Sequence, residues 1–186
     1  VAFRIEYPGR YPVYRTITEL VVDGWDRRSW YEESKASIEA YAEAHGICPG
    51  YVADVLAILS PRVAVSRNVK MAQAYLEDGR ILRGTMKARV AALHKYEATG
   101  RLAGPKVVAF SKALRGDRDA CVVDVWIFRA FGMTSTHHAN YRKAEGKVVR
   151  ASRRLRCTVV ETQASIWVGT KRACGFNEVS PIDMER

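Results

Sequence analysis

Helix punctuation constrains this chain more than any other feature of its sequence. Stretches with a 3.6-residue apolar period are preceded by residues that cap a helix N-terminus and are followed at once by glycine. Ser29-Trp30-Tyr31-Glu32 has the form of a capping box and opens a stretch that ends at Gly46. A second helix is expected from Tyr51 to the Ser60-Pro61 stop, a third from Val65 to Gly79, and a fourth from Met86 to Thr99-Gly100. Pro105 suits a first helical position with Gly116 as the stop, Asp124 can cap a short helix through Phe131, and Thr158-Val159-Val160-Glu161 is a second capping box. Only the first 25 residues read as extended, and weakly. The expected fold is all-α: one compact helical bundle, with residues 1–28 irregular, 29–170 as helical core and 171–186 as a C-terminal tail.

At 186 residues and 20.9 kDa, surface scaling gives burial of about 70% of the unfolded chain's surface, enough for one sizeable core. The 30 Lys+Arg against 20 Asp+Glu leave a net charge of +10, which excludes an acidic or neutral surface and suits a polyanionic partner. No window approaches the roughly 18–20 apolar residues of a membrane span, and the first residues lack the apolar core of a signal peptide. The expectation is therefore a cytoplasmic monomer with no membrane partner. Cys48, Cys121, Cys157 and Cys174 form no CxxC pair, and the adjacent His137 and His138 point to different faces of a helix with no third ligand in reach. We expect reduced thiols, no metal and no cofactor.

The residues with chemical content lie between positions 51 and 132. Leu56-Ala57-Ile58-Leu59-Ser60-Pro61-Arg62 reads as a helix end, Lys87-Ala88 as a helix start, and Gly104-Pro105-Lys106 as a hairpin leading into a helix. Val122-Val123-Asp124-Val125-Trp126-Ile127-Phe128-Arg129 follows, with Asp124 placed 18 residues after Lys106. This series resembles the helix-hairpin-helix DNA glycosylases, the endonuclease-III-like branch in particular. In that family the helix end reads L-S-x-Q, the hairpin L-P-G-x-G-x-K and the aspartate segment V-D-x-H-x-x-R. Four departures are visible. Leu102 stands at the first hairpin glycine, only 19 residues separate Lys87 from Lys106, Trp126 replaces the histidine, and the C-terminal cysteine cluster that holds iron and sulfur in many members is absent. The resemblance is therefore to a short, cluster-free form of a kind associated with bacteriophages and mobile elements.

The resemblance implies an enzyme that releases a flipped-out damaged or modified base from double-stranded DNA. Breaking the bond from C1′ to the base builds positive charge on the sugar, and the Asp124 carboxylate would stabilise it. Lys106 would attack C1′ and form a Schiff base in a bifunctional glycosylase/lyase. An unperturbed lysine of pKa about 10.4 leaves only about 0.04% of the amine neutral at pH 7, so the site must lower that value. Arg62 would fill the gap left by the flipped base, Arg101 and Gly104 would bring the hairpin to the backbone, and Trp126 would stack on the base. The residues also admit plainer roles, with Asp124 as an N-cap and Lys106 as one surface lysine among many. Two other functions fit the same scaffold: a phage enzyme that modifies DNA bases, and a DNA-binding module without chemistry.

A second cationic feature follows. Lys143, Lys147, Arg150 and Arg154 fall at helical spacing beside an apolar stripe of Ala144, Val148, Ala151 and Leu155. One face of such a helix packs while the other meets phosphates without regard to sequence.

Overall fold

In the computed structural model, which describes residues 1–133, 138–177 and 179–184, helix limits fall at the caps and glycines. The chain divides into two compact units, Val1–Tyr31 with Asp117–Val179, and Glu32–Gly116 with Ser180–Arg186. The described residues are mostly helical, with one two-stranded sheet.

The first unit begins with an antiparallel hairpin, β1 (Ala2–Ile5) paired with β2 (Val13–Thr16), in the register Ala2 to Thr16 and Ile5 to Val13. Helix α1 (Ile17–Gly24) follows directly, and a 3₁₀ turn covers Trp25–Arg27. These elements replace the irregular segment expected over residues 1–28. The local cause of α1 is a complete capping box: the Glu19 N–H donates to Thr16 Oγ1 at 3.2 Å, and the Thr16 N–H donates to Glu19 Oε2 at 2.6 Å. The unit is completed by α7 (Val125–Ala130), α8 (His138–Leu155) and α9 (Val159–Ala173). Leu20, Val21, Ile127, Phe128, Ala144, Val148 and Ile166 form its core.

Helices α1 and α9 pack backbone against backbone. A Cβ on Gly169 would overlap the Leu20 carbonyl, and one on Gly24 would overlap the carbonyl of Ser165. Two glycines, one from each helix, thus set the approach. Gly169→Ala should destabilise the protein by about 1–3 kcal/mol, the usual range for overpacking a core. A denaturant midpoint equal to wild type would contradict that packing.

The second unit is organised by α3 (Pro49–Leu59), whose residues 52–59 are all buried. An all-round apolar helix must be enclosed, and α4 (Val65–Asp78), α5 (Lys87–Thr99) and α6 (Pro105–Leu114) pack around it. Its one acidic residue, Asp54, is 4% exposed and accepts hydrogen bonds from Ser111 Oγ, Tyr96 Oη and Arg115 Nη2. A polar group buried this deeply needs hydrogen-bond partners of this kind. Helix α2 (Trp30–His45) belongs to this unit from Glu32 onward. The C-terminal strand of chain is held on it: the Ile182 and Met184 N–H groups donate to the Ser34 and Ser37 hydroxyls at 2.9 and 2.8 Å, with both apolar side chains buried.

Candidate active site and nucleic-acid interface

Asp124 lies in the first unit, where it is the N-cap of α7. Its Oδ1 accepts the backbone N–H groups of Trp126 and Ile127 at 2.9 and 3.1 Å. Its Oδ2 accepts the indole Nε1–H of Trp167 at 2.9 Å. Both oxygens are thus oriented, and the negative charge sits at the positive end of the short helix. The side chain is half-buried. Trp167 is tilted against Trp30, with ring centroids 6.0 Å apart, and Trp30 meets Tyr31 edge-on at 5.0 Å. The buried Tyr31 hydroxyl donates to Gln163 Oε1 at 2.8 Å; burial, with the Asp124 charge second, pushes this phenol well above its ordinary pKa. An oriented carboxylate with aromatic walls is the result.

Trp126, the residue expected to stack on the base, packs among aromatic and cationic side chains of the first unit. Its ring stacks on Tyr7 at 5.6 Å with an interplanar angle of 4°, meets Phe176 edge-on at 5.3 Å, and has the Arg129 guanidinium 4.7 Å from its centroid. The indole beside Asp124 belongs instead to Trp167, forty-three positions further on. The second capping box put Trp167 on a helix, but no local pattern tied it to the aspartate.

Lys106 lies in the second unit, at the second position of α6. Its Nζ donates to Ser60 Oγ and stands 4.5 Å from the Phe110 ring centroid. Ser60 ends α3 and donates its own hydroxyl proton to the Ala57 carbonyl at 2.8 Å. The L-S-P helix end and the G-P-K helix start, read separately in the sequence, therefore meet through one hydrogen bond. Gly104, the α6 N-cap, has φ +87° with open space where a Cβ would stand, so glycine is required by backbone conformation and not by crowding. Arg62 and Arg101 are exposed and line one cleft with Leu102. Arg62 has φ +57°, a left-handed conformation uncommon for a residue other than glycine.

Helix α8 carries Arg142, Lys143, Lys147, Arg150, Arg153 and Arg154 against one acidic residue, Glu145. Its buried face is Tyr141, Ala144, Val148 and Ser152; Ala151 and Leu155, expected on the packed stripe, instead line a groove of about 320 Å³ with Lys147, Arg150 and Arg154. The 3.6-residue period turns the packed face toward Ser152 as the helix advances. Within the groove, the Lys147 Nζ lies 4.5 Å from the Phe3 centroid and 5.2 Å from that of Phe131. Burial, and then the Arg150 charge, lowers its pKa from the ordinary value. Lys143, Arg150 and Arg154 are exposed.

Among the described residues no three His, Cys, Asp or Glu side chains come together as a metal site, and no helix is long and apolar enough to cross a membrane. His137 and the His138 side chain lie outside the described residues. The profile of a family described as "Family of unknown function (DUF7178)" matches residues 13–173. No curated protein and no solved structure matches the chain.

Proposed function

The chain belongs to the DUF7178 family, which brings no activity with it, and from the chemistry of its own residues we propose a DNA N-glycosylase of the helix-hairpin-helix type acting on an extruded base. The observation that carries the reading is the Asp124 carboxylate, held by two backbone N–H groups and one indole N–H beside aromatic rings. Base release develops positive charge at the sugar, and a preorganised negative charge lowers the barrier without reorganising in the transition state. Lys106 is the proposed amine nucleophile of an accompanying lyase step. Its side chain is half-buried, with Nζ against the Phe110 ring and the Ser60 hydroxyl.

The test is incubation with duplexes carrying assorted damaged or modified bases, followed by borohydride. A covalent protein–DNA adduct selects the glycosylase/lyase, and free base without an adduct selects a monofunctional glycosylase. Binding with neither overturns the reading in favour of the module without chemistry. The proposed interface includes the α8 face. Replacing Arg150 and Arg154 by Ala should weaken duplex binding alike for all sequences and lower the log–log salt slope by about two, one for each lost phosphate contact. A slope equal to wild type would remove α8 from the interface. Lys147 is a poorer probe, because its ammonium already rests on Phe3 and Phe131.

A further inference from the structure

Arg89 is a buried cation that lacks an opposing charge. It is 6% exposed, its Nη2 donates to the Pro61 carbonyl, and its buried Nε–H has no hydrogen-bond partner among the described residues. No carboxylate pairs with it among the described residues. Burial, and then the positive charges of Arg62 and Arg67, lower its pKa from the ordinary value. It is also the third residue of α5, at the positive end of the helix dipole, where a cation is disfavoured. The residue before that helix, Met86, supplies no side-chain cap. A guanidinium cannot shed its proton to escape such a setting.

Apart from the hydrogen bond to Pro61, the burial, the like charges and the helix dipole all act against the cation, and an anion would oppose each of them. Arg89 lines a cleft of about 200 Å³ within the second unit, with Arg62 and Arg101 also in its lining and Met86, Leu102 and Val107 among its apolar residues. At the start of α5 the Arg89 and Val90 N–H groups already donate to the Met86 carbonyl at 2.9 and 3.3 Å, so an anion there would be held by guanidiniums and favoured by the positive end of the helix dipole. We infer that this cleft binds a phosphate group through the Arg89 and Arg62 guanidiniums at the start of α5. Arg89 belongs to none of the motif segments in the sequence, and the inference does not depend on base release. The phosphate can come from a DNA backbone or from a free phosphate compound, and both present the same tetrahedral oxyanion.

The experiment compares wild type with Arg89→Met, which keeps a long unbranched side chain and removes the charge. Melting is followed in inorganic phosphate and in chloride at equal ionic strength, and affinity for an unmodified 20-base-pair duplex is measured across salt concentrations. If the site takes free phosphate, wild type gains roughly 3–5 °C in Tm for each tenfold of phosphate above its Kd. Arg89→Met loses that gain and in chloride melts no lower than wild type, because the substitution removes an unpaired buried charge. If the site takes a backbone phosphate, Arg89→Met weakens duplex binding and lowers the salt slope by about one. A wild type indifferent to phosphate, together with a variant whose duplex affinity is unchanged, overturns the inference. So does a variant that melts lower in both salts with duplex binding intact, since that is a purely structural arginine. Should Arg89→Met not fold, the exposed Arg62→Gly, at a position whose φ suits glycine, carries the same two measurements: loss of either response supports the site and retention of both overturns it.

Discussion

Asp124→Asn should slow base release roughly a hundredfold or more while leaving a folded protein that still binds DNA, the loss being that of one preorganised electrostatic group. Asn and Asp cap helices about equally well, so a residue that only caps α7 would show no loss of activity. The Trp167 hydrogen bond refines the expectation for stability. Asp124 uses one oxygen for the cap and the other for the indole N–H, whereas Asn has one oxygen and would turn its NH₂ group toward one of these donors. One of the two interactions is therefore lost, at a cost of about 1 kcal/mol. Trp167→Phe separates the effects, since it removes the indole donor and leaves both the carboxylate and the cap. It should share the small stability loss and retain most of the activity. Base release at the wild-type rate by Asp124→Asn would show that the carboxylate is a cap and nothing more.

Lys106→Gln should abolish the borohydride adduct completely, because an amide nitrogen forms no Schiff base. Gln can still donate a hydrogen bond toward Ser60, so the contact between the end of α3 and the start of α6 has a substitute. The lost contact with Phe110 should cost about 0.5–1 kcal/mol. Free base released without an adduct would assign Lys106 to the lyase step alone. An adduct that persists in Lys106→Gln would place the nucleophile at another amine.

The helices were legible because their stops are local. Gly79 and Gly100 adopt the left-handed conformation immediately after α4 and α5, as their positions after apolar periods imply, and Asp124 caps from its own position. Thr16-Ile17-Thr18-Glu19 carried an equally good signal for α1, obscured by the extended character of the residues before it. What stayed hidden depends on partners distant in sequence. Tyr31 bonds Gln163 across 132 positions, and Asp54 gathers Tyr96, Ser111 and Arg115 from 42, 57 and 61 positions further on. No periodicity reports such pairs. The glycine contact between α1 and α9 was hidden for the same reason, since nothing local to Gly24 or Gly169 marks the two as partners.

The candidate site was legible to the extent that single residues announce chemistry. Lys106 and Asp124 lie at the N-terminal ends of α6 and α7, the helix starts read at Pro105 and Asp124. Their surroundings were not. The tryptophan nearest to Asp124 in sequence stacks elsewhere and a distant one holds its oxygen, while Ser60, read only as the end of a helix, holds the Lys106 ammonium. On α8 the cations were readable but the groove was not, because its other wall comes from Phe3, Ile17 and Phe131.

The most direct measurement of the central claim is the quantity of free base released by the wild-type protein. Duplexes carrying a panel of damaged and modified bases are incubated with the protein, the DNA and protein are removed, and the remaining solution is analysed for free bases by mass spectrometry alongside a count of abasic sites. A glycosylase yields free base from at least one duplex, in amounts that match the abasic sites and that fall together in Asp124→Asn. Duplexes bound by the protein yet returned with every base in place, across the whole panel, would contradict the account.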